Sequence, residues 1–167
     1  MRNKQGSHPV KKIRGGADLA SPFFCLRLIC IDMTHAIIVH NLEHARSALA
    51  VATELDTEVT LLSAPGAAAF LGATVFRDII REAARDYPAA RFQAVLDCGD
   101  EPGLALGAMR HGIKAVRITN PEEIRVKLED IASQRGVEVY RDTGESLDLE
   151  GMTNPENACR SWIEGAS

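Results

Sequence analysis

Aromatic residues are scarce in this chain, 5% of its 167 positions, and no apolar run approaches the ~20 residues that cross a bilayer. The nearest, Phe23 to Ile31, is interrupted by Arg27. Four cysteines, Cys25, Cys30, Cys98 and Cys159, make no CxxC pair and no zinc-ribbon spacing. A disulfide scaffold is thereby excluded, and free thiols in a reducing cytoplasmic setting are expected. The signatures G-x-G-x-x-G, the P-loop and G-x-S-x-G are all missing, which disfavours nucleotide hydrolysis and serine acyl transfer. No cofactor and no metal is expected.

What is present is the composition of one ordinary globular domain, 46% hydrophobic and 25% charged. Charge is unevenly spread. Residues 1 to 34 carry six Lys and Arg against two Asp, whereas the rest carries thirteen against twenty-one. An acidic body lacks the cations that displace condensed counterions, so no nucleic-acid partner is expected. Residues 1 to 32 read as a basic leader, extended or poorly ordered, with two alternatives: an upstream start before a natural initiator at Met33, or a secretory signal.

From Met33 onward, apolar strand-type runs alternate with helix-type segments. His35 to His40, Glu58 to Ser63, Phe92 to Asp97, Ala115 to Thr119 and Val137 to Tyr140 read as strands, the last as an edge strand. Between them, Asn41 caps a helix, a second runs from about Thr74 to Asp86, and Asp100 with Pro102 opens a third. Asn120-Pro121 opens a fourth, with Gly136 as its stop. Such alternation is the signature of a parallel sheet. The expected fold is therefore an α/β three-layer sandwich over residues 33 to 142: a mainly parallel five-stranded sheet, flavodoxin-like or DsrE-like, with helices on both faces. Residues 143 to 167 read as an appendage with a short helix capped by Asn154.

Ligands of open α/β sheets bind beyond the carboxyl ends of the strands. That rule selects His40, Asn41, Ser63, Gly66, Gly99, Asp100, Thr119 and Asn120. In a 2-1-3-4-5 strand order the first and third strands are neighbours, so His40 would face the Asp97-Cys98-Gly99-Asp100 turn. Cys98, before a helix amino terminus, has the setting that favours a thiolate; as a small buried hydrophobe it would have none. His40 and His44, four residues apart, could share a metal with Cys98 or Asp100, but two histidines are a weak signal. The stripe Arg77, Arg81, Arg85 is interleaved with Asp78, Glu82 and Asp86, as on a solvated helix face. Lys114 lies at a strand entrance, on the edge opposite the candidate site. An eight-stranded barrel needs roughly 250 residues, so a Schiff-base aldolase and a half-barrel are not expected.

The order of elements from Ala36 to Ile118, closing a strand on Cys98-Gly99, resembles the DsrE-like sulfur-relay domains. That resemblance implies a small, often oligomeric α/β protein in which Cys98 accepts sulfur. Two functions therefore stand. One is a binding or regulatory module that uses the strand-end crevice for a small-molecule ligand or a protein partner, with a homo-oligomer permitted by its Ala-rich helices. The other is thiol-based sulfur transfer, with Cys98 as acceptor and His40 and Asp100 as polar support.

Overall fold

In a computed structural model the described residues are 35–141 and 144–165. The chain divides into two units, Met1–Asp32 and Met33–Ser167, and the second carries every element below. The expected leader, with Cys25 and Cys30, and the start at Met33 lie outside the described residues.

Strand β1 (His35–Val39) passes into helix α1 (Leu42–Glu54) through Asn41, whose Oδ1 accepts from the His44 N–H at 2.9 Å. That cap satisfies one of the amide groups a helix start leaves without an internal partner. Helix α1 buries Ala45, Ala48, Leu49, Val51 and Ala52. Strand β2 (Glu58–Ser63) leads to a short helical turn, α2 (Ala67–Phe70), within the segment expected to be a turn, and then to α3 (Ala73–Asp86). On the outer side of α3, Arg77 and Arg81 both pair with Asp78, and Arg85 pairs with Glu82. The arginine stripe is thus the solvated helix face its interleaved acids imply.

Strand β3 (Arg91–Asp97) is followed by α4 (Pro102–Arg110), which starts on its proline. Asp100 does not cap it: Glu101 holds that position, without a side-chain bond to the helix. Strand β4 (Ala115–Arg117) precedes α5 (Glu122–Ser133), and β5 (Glu138–Tyr140) follows. At α5 the cap position is Pro121, so Asn120 also has another use. A sixth strand, β6 (Ser146–Asp148), then precedes α6 (Pro155–Gly165), where Asn154 Oδ1 accepts from the Asn157 N–H at 3.0 Å.

All neighbouring strands are parallel, in the order β5-β4-β3-β2-β1-β6. The α/β class and parallel sheet are as expected, with six strands rather than five. The layering differs. Right-handed crossovers that always step in the same direction leave every helix on the same side, and helices on both faces require a reversal of direction. No reversal occurs between β1 and β5. The described helices form one layer in which α6, α1, α3, α4 and α5 touch in turn. This is the winding of a (β/α)8 barrel carried part of the way, the arrangement that chain length had argued against.

Alternation along the strands separates the two faces. Ile37, Val59, Leu61, Leu96 and Val116 join the helices in the main core. Ala36, Leu62, Val95, Ala115 and Tyr140 form a second buried cluster on the face that no described helix covers. On that face Gln93 Nε2 donates to Glu138 Oε2 at 2.7 Å.

Residues 144 to 165 complete the domain rather than append to it. Leu149 donates its N–H to the Ile38 carbonyl at 3.2 Å, and Leu149, Cys159 and Ile163 lie in the main core. Arg160 forms a two-pronged pair with Glu54 at the end of α1. Leu149 is fully buried, so Leu149→Ala is expected to cost about 2 to 5 kcal/mol in urea denaturation. A cost below about 1 kcal/mol, the range of surface substitutions, would show that this segment is not part of the core.

Candidate functional site

The carboxyl edge of the sheet has three stations. At its centre, Asp97 is almost wholly buried. Its Oδ1 accepts from the N–H groups of Gly66 and Gly99, both at 2.8 Å, and its Oδ2 lies 3.2 Å from Arg117 Nη1. Its own N–H donates to Ser63 Oγ at 2.8 Å. Gly66 and Gly99 have φ of 66° and 57°, a left-handed conformation that glycine adopts without strain and that turns both amides onto the carboxylate. Ser63, Gly66 and Gly99, expected to meet a ligand, are therefore engaged with Asp97.

Cys98, one residue on, projects to the opposite face. It is 1% exposed, within the main core, and its Sγ donates to the Leu96 carbonyl at 3.7 Å. Burial, reinforced by the charge of Asp97, pushes the thiol up to about 12. At neutral pH it is a protonated thiol and not the thiolate that sulfur transfer requires.

At one end of the edge, beyond β4 and β5, lies a cleft of about 530 Å³ lined by Arg117, Thr119, Glu122, Arg125, Tyr140 and Arg141, with Ile118. Three guanidinium groups meet in it. Arg125 is anchored by Nη2 to the Ile118 carbonyl at 3.1 Å, with Nε 3.5 Å from Glu122, while its buried Nη1 makes no hydrogen bond. Arg141 pairs with Glu129 at 2.8 Å and with Glu122 at 3.4 Å. Asn120 braces the loops beside the cleft, its Nδ2 donating to the Asp100 carbonyl at 2.8 Å, and its buried Oδ1 has no partner. The side chain of Asp100 is exposed.

At the other end, beyond β1 and β6, His40 Nε2 lies 2.7 Å from Asp148 Oδ1. Asp148 Oδ1 also accepts from the Glu150 N–H at 2.9 Å. Burial raises the Asp148 carboxyl, but the hydrogen bonds from Glu150 and His40 and the charges of His40 and His44 outweigh it and hold the group below its ordinary value. His44 is lowered by burial and then by the neighbouring His40.

The expected convergence of His40, Cys98 and Asp100 does not occur, because β2 lies between β1 and β3. His40 meets Asp148 instead, and Thr119 alone of the expected binding residues lines the cleft. Arg117, Arg125 and Arg141 were missed because strand-end polarity singled out short polar residues. The signal available was Arg117 and Arg141 at the ends of the last two expected strands, with Arg125 in the first turns of the helix between them. Lys114 lies at the opposite edge, where it lines a more apolar cleft of about 470 Å³ with Phe76, Ile80, Phe92 and Ile113.

No protein-family model matches the chain, and no curated protein matches it. Among solved structures it is similar to a proposed fructose-1,6-biphosphate aldolase from Coccidioides immitis, with 20% identity and a TM-score of 0.53. The likeness covers 67% of this chain and 43% of the other, so this chain spans less than half the length of that protein. At that identity the likeness is one of fold. Among the described residues, no helix is long and apolar enough to cross a membrane.

Two outcomes follow from this geometry. Asp97→Ala removes the acceptor of two backbone N–H groups and a guanidinium, and is expected to cost on the order of 3 kcal/mol in denaturant unfolding; a neutral result would mean that the three loops hold without it. Native Cys98 and Cys159 are expected to react with iodoacetamide at neutral pH only as fast as the chain unfolds. Their thiols are raised from 9.0 to about 12 and about 11. The stability they contribute is full below pH 9.0 and is lost as pH rises through the folded values. Rapid native labelling of Cys98 would restore it as a nucleophile.

Proposed function

We propose that this chain is a binding module for a small anionic ligand, held in the cleft beyond β4 and β5. The observation that carries the reading is the meeting of Arg117, Arg125 and Arg141 in a cavity of about 530 Å³ at the sheet edge where α/β proteins take their ligands. Guanidinium groups present a planar fork of donors matched to carboxylate and phosphate oxygens, and the association is strongest where water is thinned by burial. Arg125 lines the cleft, anchored through Nη2 to the Ile118 carbonyl, with its Nη1 sealed from solvent and without a hydrogen bond. Thr119 adds a hydroxyl at the rim, and Tyr140 a largely buried ring with one polar atom. Glu122 sets a limit on what enters: a ligand must displace its contacts with Arg125 and Arg141, which a dianion does better than a monoanion.

This reading needs no turnover and takes no substrate from the aldolase. The cytoplasmic setting expected from the cysteines fits a charged metabolite as ligand.

The test is a thermal-shift series with inorganic phosphate, sulfate, a dicarboxylate and a set of sugar phosphates. A ligand at about 100 times its Kd stabilises by about 2.7 kcal/mol, and the same ligand is expected to give no shift with Arg125→Gln and a reduced shift with the exposed-site variant Arg141→Ala. Equal shifts in wild type and both variants, or none with any anion, would overturn the proposal.

A further inference from the structure

We propose that His40, Asp148 and Glu150 form a site for a divalent first-row transition metal of the zinc type, separate from the arginine cleft. Strand β1 delivers His40 and its parallel neighbour β6 delivers Asp148, with Glu150 two residues on. One donor atom from each of the three lies within 4.8 Å of the others, close enough for a single ion to bridge them. One imidazole nitrogen and two carboxylates leave coordination positions open, as three-ligand zinc sites do. The mixed nitrogen and oxygen set suits zinc, cobalt and manganese, and the absence of a thiolate disfavours softer ions.

The surrounding charges fit such an ion. Glu54, Asp86, Asp97 and Glu129 each face an arginine. Asp148 pairs with His40 and has no Lys or Arg partner, and Glu150 has no ion pair, among the described residues. A divalent ion bound between them would be neutralised by the two carboxylates. The site also sits on the carboxyl edge of the sheet, the edge at which α/β proteins bind ligands, between β1 and β6.

His44 is excluded from the ligand set although it stands edge-on to His40, with ring centroids 5.9 Å apart. Its Nδ1 accepts from the His40 N–H at 3.4 Å, which leaves the hydrogen on Nε2. It is a positioning residue that braces the turn carrying His40.

Cobalt titration of the full chain tests this directly, since bound Co2+ reports its ligands through visible absorption. Saturation at one ion per chain is expected, with displacement by Zn2+ and, in His40→Ala and Glu150→Gln, affinity weaker by more than about tenfold. Because His40 also pairs with Asp148, Glu150→Gln is the cleaner variant: its side chain holds nothing else in place. The exposed His111→Ala serves as control and should bind as wild type. No saturable Co2+ binding, or equal affinity in Glu150→Gln and wild type, would overturn the proposal; loss in His111→Ala alone would place the metal elsewhere.

Discussion

The carboxylate of Asp97 is the constraint on which the functional edge depends. Three loops end on it: the turn after β2 through Gly66, the turn after β3 through Gly99, and the end of β4 through Arg117. Charge-assisted bonds in a buried setting are among the stronger ones available to a protein. They pin the edge at its middle, so the cleft beyond β4 starts from a fixed floor. Asp97 also decides the fate of its neighbour. A residue that turns toward the helix-free face forces the next one toward the helices, and Cys98 is consequently sealed in the core beside a negative charge.

Much of this was legible in the sequence. The first five strands and the longer helices between them are legible because each is long enough, or bounded clearly enough, for a period of 2 or 3.6 to emerge, whereas the four-residue α2 reads as a turn. Asn41 and Asn154 act as the caps their positions suggest. Strand order was not legible, since crossovers of similar length serve a one-way and a two-way winding equally, and the layer of the helices follows from that order alone. Strand β6 was hidden for a different reason. Three residues in which only Leu147 is apolar show too little alternation to separate from a polar loop, and with β6 went Asp148 and Glu150. Ser63, Gly66 and Gly99 were placed on the right edge but assigned to a ligand, because polarity at a strand end does not reveal whether the partner is a guest or the protein itself.

The two ends of the carboxyl edge present different chemistry. Beyond β4 and β5, Glu122 and Glu129 balance Arg125 and Arg141, while beyond β1 and β6 Asp148 and Glu150 gather with no arginine among the described residues. Between them Asp97 and Arg117 cancel at 3.2 Å.

Among the described residues the one-way winding leaves a sheet that does not close, and the outermost strands of such a sheet carry backbone N–H and carbonyl groups without a strand partner there. Here those strands are β5 and β6, each three residues long, and they carry Glu138 and Asp148. Short, charged borders are poor templates for another chain to pair with. The brevity that hid β6 in the sequence is thus a safeguard against edge-to-edge aggregation, and lengthening either border with apolar residues would remove it.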